Sequence, residues 1–583
     1  MATEITVRTK DPAPRADRPW TRHYDEGVPA TLDYPEATLQ ALLDNAAAAY
    51  PDSTATIFFN AKRSYRSISD DAWRFAQGLR RLGVRKGARV ALVLPNCPQF
   101  VVAFFGALRA GAIVVPCNPL YTAAELRHQL ADSGAETVVV LSRLYPVVKD
   151  AREGTAVRNV IVTNIKEEMP PVLRLLFTLA KERKDGHRAP FRGDPGAVAF
   201  PEVVHPAGEA PEPAPFDAGV APSDVALFQY TGGTTGVSKG AMLSHRALVA
   251  NTLQCRSWFT NMRDGRDTVM AVMPFFHVYG LTVVMNFALQ CAAAMILEPQ
   301  FDLKHVLGDV QRHRPKIFSG APRIYNAVIN SPLAAKYDLR SIEACISGSA
   351  PLLVETHRKF VELTGANLVE GYGLTEAAPV THCNPIFGAG KQKIGTIGVP
   401  FPDVEARVVD LETGRRECAP GEPGELVLRG PQLMDGYFGR PEETAATIRD
   451  GWLYTGDIAT VDDDGYYAIV DRKKEMIIVS GFNVYPREVE EVLAKHPAVL
   501  ESAAIGIPHG VKGEEVKAFV VLKPGAAAGA DELAAFCRTE LAPFKVPREI
   551  EFRETLPKTL IGKVLRRQLA EEEKARRSQA TPA

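Results

Sequence analysis

Between positions 39 and 141 the apolar residues switch repeatedly between two spacings, and this alternation limits what the chain can fold into. Leu39, Leu42, Leu43, Ala46 and Tyr50 recur at helical intervals until "YPDS" stops them. Ala72, Phe75, Ala76, Leu79 and Leu82 repeat the helical pattern, with Gly83 as the stop. "RVALVLP" then reads as a buried strand, "QFVVAFFGALRAG" as a helix ended by Gly111, and "AIVVP" as a second strand. "LYTAAELRHQLADSG" is a helix and "ETVVVL" a strand. Strands separated by helices must pair in parallel through right-handed crossovers, which makes the class α/β.

The chain has 583 residues, beyond the ~250–300 at which single cores stop growing, so several domains are expected. Residues 165–220 break the rhythm. There "MPPVLRLLFTLAKERK" has an apolar half followed by a basic one. It reads as a surface helix packed on the core, with an interfacial helix that meets a membrane or a partner as the alternative. A Pro-rich linker follows, "PAGEAPEPAPFDAGVAPSD". Residues 400–470 carry strand and turn signals, and after Asp471 the composition becomes more charged. "YPREVEEVLAKHPAV" predicts an amphipathic helix with Val489, Val492 and Leu493 on its apolar face. The expected domains are 1–471 and 472–569, with 570–583 ("AEEEKARRSQATPA" and its surroundings) as a disordered tail.

Lys and Arg total 68 against 69 Asp and Glu, so charge gives no argument for nucleic acid. The eight cysteines are scattered without CxxC or CxxH spacing, which argues against a zinc site and a disulfide framework and for a reducing compartment. No apolar signal segment is read at the N-terminus. Val278 to Leu297 is nearly apolar, but Asn286 and Gln290 interrupt it and no basic flank anchors it, so a buried helix is expected.

Four motifs carry chemistry. "YTGGTTGVSKGAMLSH" follows a predicted strand, "VALFQY", and precedes a predicted helix, "HRALVANTLQ". Thr231, Gly232, Gly233, Thr234, Thr235 and Gly236 offer close amides and hydroxyls to an anion, and Lys239 offers a point charge. Lys239 lies between Ser238 and Gly240, unlike the lysine of a nucleotide-triphosphatase loop. In "VEGYGLTEAAP", Tyr372 between Gly371 and Gly373 can stack a base, Thr375 can donate to phosphate, and Glu376 can hold magnesium. A capped turn would look the same. Asp457 in "YTGD" can accept both hydroxyls of a ribose, with Arg472 in reach, although an Asx-turn and a surface ion pair fit these two residues equally. Lys563 in "LPKTLIGKVLRRQL" is either a functional amine or a solvated lysine before a helix.

Taken in this order, the motifs resemble those of the adenylate-forming (AMP-binding) superfamily, from about Thr38 to Leu569. The runs 226–246 and 450–486, together with "RPWTRHYDEGVPATLDYP" and "LPNCPQFVVAFFGALRAGAIVVPCNPLYT", are most similar to bacterial long-chain fatty-acid–CoA ligases. The resemblance implies a large N-terminal domain of layered α/β subdomains plus a β-rich subdomain, and a small mobile C-terminal α+β domain. It implies ATP, Mg2+ and coenzyme A: a fatty acid attacks the α-phosphate, giving acyl-AMP and pyrophosphate, and the thiol of coenzyme A then takes the acyl group.

By the same resemblance, the 231–239 loop holds the β- and γ-phosphates, and Gly348, Ser349 and Ala350 line the adenine side with Tyr372. Thr375 meets the α-phosphate, Glu376 is the metal ligand, and Asp457 and Arg472 grip the ribose. Lys563 attends the reacting centre, Lys474 is the hinge, and Gly481 lies at the pantetheine tunnel. His277 in "PFFHVYG" stands beside the acyl carboxylate, with a core histidine as the other reading. Ser238 replaces a proline found in many relatives. The alternatives are a medium-chain, dicarboxylic or aryl acid–CoA ligase, or a fatty acyl-AMP ligase. The implied setting is cytoplasmic, with peripheral contact at the inner face of the membrane and a homodimer as further expectations, and no nucleic acid partner.

Overall fold

The predicted crossovers are present. In the computed structural model, which describes residues 5, 8–9, 18–208, 215–231, 238–387, 392–480, 482–509, 513–559 and 562–580, the chain divides into two compact units. The first is built from residues up to 231, 238–405 and 429–448, and the second from 406–428 and 449 onward.

In the first unit, an eight-stranded sheet runs in the order Gly436–Tyr437, Gly240–Ser244, Val225–Tyr230, Ile113–Pro116, Arg89–Val93, Thr137–Leu141, Asn159–Thr163, Ala197–Ala199. It is parallel from Val225–Tyr230 to Ala197–Ala199 and antiparallel at the other edge. Of the expected helices, Tyr65–Arg81 precedes the first of these strands in the chain, and Pro98–Arg109 and Ala123–Ser133 lie between them. A second sheet joins Ala61–Ser64, Thr54–Phe58, Ala294–Leu297 and Thr268–Ala271. Bridges through Ile317 carry it on to Ala344–Ser347 and Asn367–Gly373.

Close approach of two helices organises the core of this unit. A Cβ on Gly106 would lie 2.7 Å from the Ala72 carbonyl oxygen and 2.8 Å from the Phe75 ring. The neighbouring Arg109 is buried. Its guanidinium donates to the Ser69 carbonyl at 2.7 Å and the Ser69 hydroxyl at 2.8 Å, and it pairs with Asp44. All eight cysteines are free and buried.

Two expectations for this unit are corrected. Val278 to Leu297 is not one helix: a π-helical stretch, Gly280–Asn286, continues as Phe287–Gln290, and Ala294–Leu297 is a strand. Nearly every residue of the run is buried, so its hydrophobicity has no period to mark where helix gives way to strand. Among the described residues, no helix is long and apolar enough to cross a membrane. The second correction concerns Pro171–Ala180, which is helical but buries none of its residues. Of the Pro-rich linker, residues 209–214 lie outside the described residues.

In the second unit, one five-stranded sheet is made of Glu405–Val409, Gly424–Arg429, Ile448–Arg449, Trp452–Val461 and Tyr467–Arg472. Another contains Phe482–Val484, Ile477–Val479, Gly513–Leu522, Val499–His509 and Glu549–Phe552. Alternate residues of the long strands face opposite ways. Val516, Ala518 and Val520 pack with Val489, Val492 and Leu493 of the predicted amphipathic helix, here Pro486–Lys495. Phe519 and Val521 pack with Leu569. The stretch expected to be disordered from 570 is instead part of a helix, Arg566–Ala580. Glu573 on that helix is buried against the Lys517 amine at 2.8 Å, which ties it to the sheet.

Gly106→Ala is expected to cost ~1–3 kcal/mol, because the methyl must push the two helices apart. Denaturant unfolding measures this, and an unchanged midpoint would contradict the close packing.

Candidate active site

The loop expected to bind phosphate hangs from a β-hairpin. Strand Val225–Tyr230 pairs antiparallel with Gly240–Ser244, with Tyr230 opposite Gly240. The helix begins at His245, as expected, and the strand Gly240–Ser244 lies between it and the loop, so no helix N-terminus opens directly from the loop. At its neck the Thr231 amide donates to the Lys239 carbonyl at 3.0 Å, and the Ser238 hydroxyl donates to the Thr231 carbonyl at 2.5 Å. Gly232, Gly233, Thr234, Thr235 and Gly236 lie outside the described residues.

A residue the sequence reading missed joins Lys239 to Glu376. Tyr437 pairs with Ala241 at the sheet edge. Lys239 Nζ stands 4.9 Å from the Tyr437 ring centroid and 3.9 Å from Glu443 Oε1. The Tyr437 hydroxyl donates to Glu376 Oε1 at 2.7 Å. Burial and the Glu376 charge push the phenol up, so it stays a donor. Tyr437 sits in a two-residue strand, "GY", too short to show any periodicity.

The segments expected on the adenine side leave neighbouring parallel strands. Ala344–Ser347 pairs with Asn367–Gly373, with Ser347 opposite Glu370. "GSA" (Gly348, Ser349, Ala350) and "GYG" (Gly371, Tyr372, Gly373) therefore emerge side by side past that register, as ligand-binding segments do at carboxyl ends of parallel strands. Ser349 has φ +72°. A Cβ on Gly348 would come 3.3 Å from the Tyr279 ring. One on Gly373 would lie 2.1 Å from the Pro379 carbonyl oxygen, so glycine is required there. Tyr372 is half-buried and meets His382 edge-on, with centroids 6.1 Å apart. Thr375 and Glu376 follow in a tight turn, Thr375–Ala377.

His277 is held locally. Its Nδ1 accepts the Tyr279 amide at 3.2 Å, and burial pushes the imidazole down to about 4. It is neutral at pH 7, so it can orient a carboxylate through its other nitrogen but cannot neutralise one.

The second unit gathers Asp457, Arg472 and Lys563. Asp457 and Arg472 are cross-strand partners, with Arg472 Nε 3.4 Å from Asp457 Oδ1. The Lys563 amine is pushed down to about 8, first by burial, then by the positive charge of Arg472, with Asp457 opposing. Arg566, three residues on, fixes this arrangement. It donates to both oxygens of Glu490 at 2.8 and 2.6 Å, pairs with Glu475, and lies 3.8 Å from Asp471. Asp471 in turn accepts the amides of Arg472 and Arg487, each at 2.7 Å. Lys474 is exposed between two anchored neighbours: Lys473 pairs with Glu425 at 2.9 Å, and Glu475 pairs with Arg566. Gly481 lies outside the described residues. Sequence reading missed two supporting residues, Tyr437, which holds Glu376, and Arg566, which anchors the segment after Lys563.

The chain matches the model of the AMP-binding enzyme family over residues 43–438 and that of the AMP-binding enzyme C-terminal domain over 488–563. It is 45% identical to a long-chain-fatty-acid–CoA ligase of Bacillus subtilis, over 96% of this chain and 99% of that protein. To one of Yersinia pestis it is 40% identical, over 96% of this chain and 98% of that protein. Among solved structures it is similar to ATP-bound MatB from Rhodopseudomonas palustris (TM-score 0.80, 31% identity, 93% of this chain and 99% of that one). It is also similar to the anthranilate CoA ligase AuaEII in complex with anthranoyl-AMP (TM-score 0.81, 28% identity, 93% of this chain and 98% of that one).

Arg566→Met should destabilise the protein by about 3 kcal/mol or more, since it strands the Glu490 and Glu475 carboxylates. Denaturant unfolding of the full chain tests this. Arg566→Lys, which keeps the charge but loses the two-pronged contact with Glu490, should lose less.

Proposed function

From the premise that the chain belongs to the AMP-binding enzyme family, we propose that it activates long-chain fatty acids in two steps, by ATP-dependent formation of an acyl-AMP and transfer of the acyl group to coenzyme A. Pyrophosphate and AMP are the other products. The family uses ATP and coenzyme A as substrates; the long-chain acid is taken from relatives such as those of Bacillus subtilis and Yersinia pestis.

The residue roles are part of the proposal. Supporting them is one observation above the others: the amine of half-buried Lys563 is held low by desolvation and by Arg472, in the field of the Asp457–Arg472 pair. A cation with too few carboxylates around it favours an incoming anion, here the α-phosphate and the acyl carboxylate. Asp457 and Arg472 would take the ribose hydroxyls. Gly348, Ser349, Ala350, Gly371, Tyr372 and Gly373 would take adenine, with Thr375 at the α-phosphate. The hairpin loop from Thr231 to Lys239 would clamp the β- and γ-phosphates and release them as pyrophosphate. His277, being neutral, would orient the acid.

Mg2+ also fits. Glu376 has one oxygen held by Tyr437 and, among the described residues, a second without a hydrogen-bond partner, and this ion is typically shared between one or two carboxylates and substrate phosphates. Bound there, it would neutralise phosphate charge, and Glu376 would be its protein ligand. The division into 1–471 and 472–569, rotation of the small domain about Lys474, and a tunnel for coenzyme A at Gly481 belong to the same proposal. So do a homodimer and a cytoplasmic, membrane-peripheral setting.

A pyrophosphate-release assay across acids of increasing chain length, with and without coenzyme A, tests the reading. Release that rises with chain length and couples to thioester formation is expected; none with any acid would defeat it. Lys563→Ala should lower pyrophosphate release on the order of 10²–10³-fold, while thioester formation from supplied acyl-AMP survives. Equal loss of both half-reactions would remove Lys563 from its role. Lys239→Ala should cost less than Lys563→Ala, and the reverse order would overturn the division between loop and lysine. The lysine is charged below about pH 8 and neutral above it. For the first half-reaction kcat/KM should therefore fall as pH rises through about 8, and this limb should move to higher pH in Lys563→Arg.

A further inference from the structure

Helix Pro171–Ala180 carries an aliphatic stripe on its solvent side. Val172, Leu175, Leu176 and Leu179 are 72, 60, 56 and 77% exposed. They recur at i, i+3, i+4 and i+7, the spacing of one face of a helix, and such a face is normally turned to a core. The inward side is occupied separately. Leu173 and Phe177 are half-buried, and the Phe177 ring meets His187 edge-on at 5.3 Å.

The helix is firmly attached, so its exposure is not fraying. Arg174 donates to the Lys166 carbonyl at 3.0 Å. The Glu182 amide bonds the Phe177 carbonyl at 2.8 Å, and the Glu182 carboxylate, nearly buried, pairs with Lys166 at 2.7 Å. Glu182 also pairs with Arg188 at 3.4 Å, and the other exposed charges just past the stripe are Lys181, Arg183 and Lys184 against Asp185. An aliphatic stripe ending in a basic cluster matches the acyl region and anionic headgroups of a lipid surface. Ten residues make a helix of only ~15 Å, too short to span a bilayer, so it can only lie in the interface.

We propose that Pro171–Ala180 and the basic residues after it dock the protein on an anionic bilayer. That the bilayer is also the source of the acid rests on the function proposed above, since long-chain acids partition into membranes.

Full-length protein is sedimented with vesicles of equal parts phosphatidylglycerol and phosphatidylcholine, and with pure phosphatidylcholine vesicles. Wild type should bind the anionic vesicles; Leu175→Glu/Leu179→Glu should bind at least ~10-fold more weakly, as expected when buried aliphatic contacts become charged. Lys181→Glu/Lys184→Glu should lose the preference for anionic lipid. The changed residues are exposed, so folding should survive. No wild-type binding, equal binding to both vesicle types, or unchanged binding by the leucine variant would overturn the proposal. So would a wild-type dimer that the leucine variant dissociates, because the stripe would then cover a second copy. Pyrophosphate release with a water-soluble medium-chain acid is followed alongside. Its retention in all three proteins separates a failure of docking from a failure of the functional reading.

Discussion

Burying a cation costs several kcal/mol unless carboxylates or carbonyls surround it, and this chain meets that cost at several sites that position the rest. Arg109 has Asp44 and two oxygens of Ser69, and it locks the helices beneath the large sheet. Lys517 has Glu551 and Glu573, and it binds the last helix to its sheet. Arg566 has Glu490, Glu475 and Asp471. Lys563 departs from this pattern. The charges acting on it are mixed, Arg472 and Arg566 against Asp457 and Glu475, and desolvation is the largest influence. A site that stabilised its own lysine fully would have less to gain from a substrate anion. A lysine held below its usual range by desolvation and mixed charges suits the role proposed for it.

Glu376 obeys the same logic with opposite sign. Its carboxylate is held from one side by a neutral phenol, which fixes its direction without cancelling its charge. Had a lysine or arginine occupied the place of Tyr437, Glu376 would have far less attraction left for a cation. Lys239 approaches the face of that same ring, where the π-cloud stabilises the ammonium without neutralising it. One aromatic side chain thus meets Glu376 through its hydroxyl and Lys239 through its face, while Lys239 also has Glu443 at 3.9 Å.

Much of this was legible in the sequence wherever a period or a motif existed. The crossover rhythm from Leu39 to Leu141 gave the parallel sheet, because strand and helix differ in spacing and each was long enough to count. The family motifs pointed to Asp457, Arg472 and Lys563, which the structure brings together in one unit although more than a hundred residues separate the first from the last. What escaped had no period. Gly240–Ser244 is a short strand directly before a capped helix, and it was read only as the end of the loop motif. The run after Val278 is buried on all sides, so nothing marks its change of element. The tail beyond Leu569 looked too polar to fold, yet its charges are partners for Lys517 and Glu549 across the sheet. Arg566 and Tyr437 act through groups distant in sequence, and single residues of that kind leave no pattern.

The burial of all eight cysteines has a practical side. Desolvation pushes their thiols up, to about 12 at Cys97 and Cys291 and about 11 at Cys537. The thiolate is the reactive form, so the folded protein presents almost no nucleophilic sulfur of its own near neutral pH. In a reaction mixture, the sulfhydryl of coenzyme A is then effectively the sole thiol that a colorimetric thiol reagent can titrate. Its disappearance can be read against a silent protein background, and any slow rise in that background would report unfolding of the chain.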